Sequence, residues 1–560
     1  LRHGTLCRSA LRYGALRHGA VDYVAAPSIV HRRLILPDQL PSMAVGQKGS
    51  VVAPKEWRTP TLIQAQAAVI TPMKPIPEIR ITQANDKEVN PDAQYVLYWM
   101  TSARRTRYNF ALERAIFRAK ELSLPLVIFE PIRVRYQWAS DRIHQFVIEG
   151  MRDNAEALKD KPVTYFPYVE PTPGAGSPLL RTLAKNAAIV VTDEYPCFFL
   201  PHLITAVKDN LPVPLEVVDT NGIVPLRMPD RTFTVAHSYR RWMQKNILDC
   251  LTEFPKANPF ANVKLPTLDK LPSAVTRRWK AADFDKLLNG GLSKIPIDHD
   301  VVPSPVLTGG SVAAGKSLDR FINRRLDDYG EDRNHPDENA TTELSAHLHF
   351  GHIGAHDIVQ SVLDNEHWTP DKLNKPNGKN HGFWSTSESA EGFLDQVLTW
   401  REMGFNMAFR EPDRYDKLDS LPDWAKKTIA ETADDERPVV YDLEQFESAQ
   451  THDELWNAGQ RQLVQHGMMH NYIRMLWGKK ILHWTESVDD ALRIMVHLNN
   501  KYALDGRDPN SYSGIFWVLG RYDRAWGPKR PVFGSLRYMT SDSARKKLHL
   551  SGYLKEFSAK

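Results

Sequence analysis

Gly310, Gly315, Lys316 and Ser317 carry the GxxxxGK[ST] spacing. In the right setting it wraps a phosphate in backbone N–H groups while the lysine reaches the terminal oxygens. That setting is a loop directly after a central strand. Here Pro296, Pro303 and Pro305 precede it, and prolines of that density would break a ladder. The stretch reads as a junction between a linker and a helix, not as a nucleotide hydrolase. Thr341, Thr342 and Ser345 form another polar cluster where a helix would begin. Hydroxyls and N–H groups there can hold a diphosphate, although such residues also serve as plain helix caps. His347, His349, His352 and His356, and the pair His466 and His470, bring no carboxylate or cysteine at ligand spacing, so no metal site is expected. Trp477 and Trp484 stand seven apart, a spacing that puts both on one helix face. Residues 519–547 hold eight Lys or Arg against two Asp, interleaved with Trp526, Phe533 and Tyr538. That mixture suits nucleic acid, and a solvated basic face would look the same.

The elements that must position these residues fall into two kinds. YVLYWM (Tyr95 to Met100) and LPLVIFEP (Leu124 to Pro131) are short apolar runs flanking a helical stretch, Asn109 to Leu122. Strand, helix, strand with short links implies a parallel sheet covered on both faces. Runs at Val163–Val169, Ala188–Thr192 and Leu215–Val218 extend it. From Leu318 onward helical periodicity dominates, as in LDRFINRRLDDY and NYIRMLWGKKILHW. The expected fold is an N-terminal doubly wound, Rossmann-like α/β domain at 93–225, a linker at 226–310 and an all-helical domain at 311–560. Residues 1–92 are read as a leader outside the fold, and within it residues 1–42 have six Arg against two Asp, as in a transit segment.

The 560 residues are 42% hydrophobic and 25% charged, a balance typical of globular chains of more than one domain. No run approaches the roughly 18 apolar residues of a membrane helix, so a soluble, intracellular protein is expected, with its compartment open, and a monomer. A net charge of +5 permits a polyanionic partner. Cys7, Cys197 and Cys250 lie far apart, which argues against a disulfide framework.

The string RNHPDENATTELSAHLHFGHIG, starting at Arg333, resembles the flavin-binding signature of the photolyase and cryptochrome family. Downstream, NYIRMLWGKKILHW, LNNKYALDGRDPNSYSGIFW and RAWGPKRPVFGSLRYM resemble its class II cyclobutane pyrimidine dimer photolyases. With YVLYWMTSARRTRYN included, the likeness spans roughly residues 93 to 550. It implies FAD in the helical domain, bound by Tyr329, Thr341, Thr342, Leu344, Ser345, Arg474, Asn499, Asp505 and Gly506. Asn499 would face flavin N5, Arg474 and Asp505 would flank the ring as an ion pair, and Gly506 would let the backbone approach it. Trp456, Trp477 and Trp484 would be the electron-transfer triad, ending near solvent. Trp400 and Trp517 would line the pocket for a flipped-out dimer. Arg524, Trp526 and Arg537 would contact DNA, with Arg537 entering the gap the dimer leaves. An antenna chromophore of unspecified kind could occupy the α/β domain.

The implied activity is light-driven repair of DNA, splitting dimers by electron transfer from reduced FAD. The chain departs from the class on the substrate side. Gln396 stands where the class has a glutamate, and it joins Trp400, Trp517 and Asn499 as the expected catalytic group. Gln396 can donate a hydrogen bond but not a proton. Tyr522 likewise replaces a histidine. Both departures keep open a second expectation, a cryptochrome-like FAD photoreceptor with weak or no repair. The phosphate-loop spacing gives its own test: Lys316→Ala should leave nucleotide retention in equilibrium dialysis at the wild-type background. ATP held by the wild type and lost in the variant would restore the hydrolase reading.

Overall fold

The computed structural model describes residues 76–559; residues 1–75, most of the expected leader, lie outside it. Strands β1 (Ile81–Gln83), β2 (Tyr95–Trp99), β3 (Leu126–Ile132), β4 (Thr164–Val169), β5 (Ala187–Glu194) and β6 (Leu215–Asp219) form one sheet in the order β1-β6-β5-β2-β3-β4. Strands β2 to β6 are parallel, and β1 joins β6 antiparallel at the edge. All five residues of β2 and all five of β6 are buried. Covered faces explain the unbroken apolar run of β2, whereas β6 buries Glu216 and Asp219 among its apolar residues. The sheet is the expected α/β layer. Strand β1 corrects the leader boundary at 92: Ile-Thr-Gln has no apolar run to signal a strand, yet it completes the sheet. Arg80, just before it, is buried with its guanidinium 2.7 Å from the Ile223 carbonyl.

Chain direction reverses its spread between β2 and β5, and such a switch point opens a crevice at the carboxyl ends of the strands. Asp193 sits there. Its carboxylate accepts backbone N–H bonds from Thr101 (2.7 Å), Ser102 (2.8 Å) and Ala103 (3.0 Å), and the Tyr98 hydroxyl at 2.7 Å. One acidic residue at the end of β5 thus orders the loop leaving β2.

The second half is helical, as expected. The linker is less separate than its composition suggests. Its helix Ala236–Leu251 buries Tyr239, Met243 and Ile247 in the same core as Trp456, Trp477 and Trp484. The helix Ser311–Arg324 starts at Gly310, whose N–H donates to His352 Nδ1 at 2.9 Å, while the Val312 N–H donates to Asp153 at 2.9 Å. Protein groups therefore occupy first-turn donors that a phosphate loop would offer, and the element follows irregular chain instead of a strand. His347, His352 and His356 are buried against Phe146 and Phe110. Burial pushes His347 down to about 4 and the other two well below their usual value.

Buried arginines join the two halves. Arg105 donates to the carbonyls of Tyr108, Thr220 and Gly351. Arg142 reaches the carbonyls of Val464 (2.6 Å) and Tyr502 (2.9 Å), at helix C-termini whose last carbonyls lack partners of their own. Gly351 lies at this junction with φ +72, and a Cβ there would stand 1.8 Å from the Ser102 carbonyl oxygen. Gly351→Ala should therefore lower stability by about 3 kcal/mol, read as a drop in the urea midpoint. An unchanged midpoint would show that the junction yields freely.

Candidate functional site

Asp453 caps the helix Glu454–His466 by accepting from the N–H groups of Leu455 and Trp456. That cap fixes the turn carrying Trp456. Trp477 lies on the next helix, Asn471–His483, and Trp484 ends it as the capping residue. The rings of Trp456 and Trp477 stack with centroids 6.5 Å apart and planes 6° from parallel. Trp456 meets Trp484 at 6.2 Å and 66°. The spatial order is therefore 477, 456, 484, with the residue earliest in sequence in the middle. A spacing of seven residues gave no hint of this, since Trp456 bridges the other two from another helix. Two of the three indole N–H groups have a named partner: Trp456 Nε1 donates to the Trp477 carbonyl at 3.0 Å, and Trp477 Nε1 to Gln460 Oε1 at 2.9 Å.

The third indole, Trp484, is itself 1% exposed. Lys480, Tyr441 and His452 cover it, their groups 5.0, 5.8 and 4.8 Å from its ring. Tyr441 is half-buried, His452 is exposed, and the tyrosine hydroxyl lies 2.7 Å from His452 Nδ1. Neither residue had been singled out; a lone Tyr and His in a polar stretch carry no periodic signal.

One turn before Trp477, Arg474 pairs with Asp505 through two bonds of 2.9 and 3.1 Å. Asn499, 2% exposed, donates its amide to Ser511 Oγ at 2.8 Å and Asn500 Oδ1 at 3.2 Å. Gly506 lies so close that a Cβ would stand 2.7 Å from the Asn499 carbonyl oxygen. An ion pair one turn before Trp477 thus stands with an oriented carboxamide and a side-chain-free backbone from the segment 499–506. This donor and acceptor set fits the polar edge of an isoalloxazine. Around the expected diphosphate contacts, Thr342 Oγ1 accepts from the Leu344 N–H and the Thr341 carbonyl accepts from Arg325 at 2.8 Å. The helix from Ser345 runs only to His349, Ser345 is exposed and Leu344 is buried. Tyr329 is buried, its ring 5.3 Å from Phe393, with the Arg333 guanidinium 5.5 Å away.

Phe393 leads into a π-helical turn, Asp395–Trp400. Such turns re-aim side chains and recur at functional sites. Gln396 and Trp400 are half-buried on it, whereas Val397, Leu398 and Thr399 are buried. Arg240 locks the turn by a bidentate pair to Asp395 at 2.6 and 2.9 Å. The following helix, Arg401–Arg410, packs closely on the helix Pro509–Val518, where a Cβ on Gly404 would meet the Pro509 carbonyl oxygen at 2.9 Å. Trp517, half-buried, lies near the end of that second helix. The Arg537 guanidinium stands 5.5 Å from Trp517 and 4.4 Å from Trp526, and Arg524 stands 4.6 Å from Trp526. The expected DNA contacts are thus drawn together with a pocket residue. Arg521 drops out of the basic surface: it is 1% exposed and bonds the Tyr415 carbonyl at 2.7 Å. Tyr522 is buried with φ +68.

A cavity of about 340 Å³ opens at the carboxyl ends of the parallel strands, lined among others by Tyr136, Phe198, Phe199, His349, Phe350 and Arg507. It is where the switch point predicts a crevice, and Arg507, from the loop that also carries Asp505, is among its lining residues.

Among curated proteins, the chain is 30% identical over 476 residues to a deoxyribodipyrimidine photo-lyase of Methanothermobacter thermautotrophicus, a match covering 85% of this chain and 97% of the relative. A protein of the same name from Potorous tridactylus is 30% identical over 484 residues, covering 85% and 83%. One from Oryza sativa is 31% identical over 477 residues, covering 82% and 86%. Among solved structures, a bacterial class III photolyase from Agrobacterium tumefaciens matches with TM-score 0.61 and 17% identity over 88% of both chains. That likeness speaks for the fold: an α/β domain followed by helices. No family model matches.

The Arg240–Asp395 pair, with side chains 10% and 8% exposed, should be costly to break, since a lone charge would be left inside. Asp395→Asn is expected to lose about 3 kcal/mol in urea unfolding, and a loss under about 0.5 kcal/mol would mean that the turn holds without it.

Proposed function

Since the chain belongs to the deoxyribodipyrimidine photo-lyase family, we propose that it is a light-driven DNA-repair flavoenzyme of the class II type, splitting cyclobutane pyrimidine dimers. The observation that carries this reading is the buried run of indoles, 477 to 456 to 484, beside Arg474, Asn499 and Asp505. FAD, when bound in its reduced form, supplies an electron donor that light can excite.

The chain's own residues do the rest. Arg474 and Asp505 would hold the ring edge between opposite charges, and Asn499, oriented by Ser511, would present a neutral amide to it. Trp484, Trp456 and Trp477 are spaced for short electron steps inward from the surface, where Tyr441 and exposed His452 adjoin the Trp484 ring. The hydroxyl of Tyr441, 2.7 Å from His452 Nδ1, is placed to pass its proton to the imidazole if the tyrosine gives up an electron. Tyr329, Thr341, Thr342, Leu344 and Ser345 would line the diphosphate end.

On the substrate side, Trp400 and Trp517 offer flat faces for a flipped-out dimer, whose lost base stacking they would replace. Gln396 would donate a hydrogen bond to a pyrimidine carbonyl as negative charge develops there, without giving up a proton. Arg524, Trp526 and Arg537 would grip the DNA around the lesion. The cavity against the α/β domain is large enough and aromatic enough for a second, light-gathering chromophore. Gln396 and Tyr522 favour one other reading, an FAD photoreceptor that does not repair.

Illuminating the reduced protein with a dimer-containing oligonucleotide separates the two. Recovery of thymine absorbance is expected, and none, despite bound flavin, would leave the photoreceptor reading. Gln396→Glu should raise the repair yield at least about tenfold, because a proton donor replaces a neutral amide. Trp456→Phe should slow light-driven flavin reduction by at least about tenfold, since the middle step becomes a jump across a gap; an unchanged rate would remove the indoles from the scheme.

A further inference from the structure

Lys479 takes no part in the chemistry above, yet it is 0% exposed. Its neighbour Lys480 is half-buried and reaches Asp453 at 3.6 Å. Lys479 has no carboxylate within ion-pair distance among the described residues. Its ammonium donates to the Val518 carbonyl at 2.7 Å and stands 5.2 Å from the centre of the Trp517 ring. Val518 ends the helix Pro509–Val518, where carbonyls lack partners within the helix. The contact therefore ties the helix Asn471–His483, which carries Trp477, to the end of the helix that carries Trp517. An apolar chain of similar length would fill this space without the desolvation cost of a charge. What the amine adds is a hydrogen bond that holds the helix end and a cation against the indole.

We propose that Lys479 is a positioning residue for the dimer pocket, holding the Trp517 indole in place through the Val518 carbonyl and through its charge against the ring. The inference rests on the proposed function, which supplies the dimer. Trp517 then has two cations near its ring, Lys479 from within the helical domain and Arg537 from the basic tail. Only the first is sealed from solvent, where a cation–aromatic contact is strongest. A neutral amine could keep its bond to Val518 but would lose the attraction to the ring.

The grip on a dimer should accordingly depend on pH. Burial pushes the Lys479 amine down to about 7, with Asp523 favouring the charged form and Arg537 opposing it. The charged form dominates below that value and is lost as pH rises through it. The test is dark binding of the full-length, FAD-loaded protein to a dimer-containing oligonucleotide and to its undamaged twin, between pH 6 and 9 at fixed salt. Taking the ratio of the two affinities removes titrations that act on DNA backbone binding in general. The wild-type preference for the dimer is expected to fall on the order of tenfold with a midpoint near 7. Lys479→Met should show the weak preference at every pH, and Lys479→Arg a preference that does not change with pH. A wild-type ratio independent of pH would overturn the proposal, and so would a Lys479→Met profile matching the wild type. If the methionine variant fails to fold, the wild-type and arginine profiles decide. A protein that binds FAD but shows no preference for the dimer at any pH would instead overturn the repair reading beneath it.

Discussion

A buried indole must give its N–H to an acceptor or forfeit the hydrogen bond it had in water, a loss of about 1–3 kcal/mol. Trp456 meets this demand by donating to the backbone of Trp477, and Trp477 by donating to Gln460. The first bond joins the helix Glu454–His466 to the helix Asn471–His483, and the second returns from one to the other. Together they hold two large rings nearly parallel at 6.5 Å. The same bonds that let these helices bury tryptophan thus set the spacing an electron would have to cross. Packing and the proposed chemistry depend on one geometry.

The loop after the helix Val488–Tyr502 ties this arrangement to the rest of the molecule. Asp505 pairs with Arg474, Gly506 presses on the Asn499 backbone, and Arg507 lines the cavity against the α/β domain. Asp508 accepts from the Tyr195 hydroxyl at 2.7 Å and lies 3.4 Å from His349. Four consecutive residues therefore touch the candidate flavin site, the strand-end cavity and the contact between the halves. Arg105 and Arg142 secure that contact through backbone carbonyls. Carbonyl acceptors fix the mutual position of the two halves without demanding a matching carboxylate.

Much of the fold was legible because its signals are local. The buried strands are apolar runs, and the helices of the second half repeat at helical spacing. Strand β1 was not legible, because three residues at a sheet edge need no apolar run. The depth of the linker helix Ala236–Leu251 in the helical core was hidden by its polar composition. At the site, motif register pointed to particular tryptophans, but not to their spatial order or the burial of Trp484, which depend on packing between distant segments. Lys479 and Lys480 are adjacent and chemically identical in the sequence, yet one is sealed under Trp517 and the other lies over Trp484. Only the tertiary structure separates them. The phosphate-loop spacing at Gly310 shows the converse, a complete local match whose donors are spent on His352 and Asp153.

The central claim is that the helical half holds a flavin beside Trp477. An absorption spectrum of the purified full-length protein, recorded as isolated and after incubation with FAD and removal of the excess, tests it most directly. The account predicts retained flavin bands in the blue that bleach under illumination with an external electron donor. A protein that stays colourless after both treatments would contradict it.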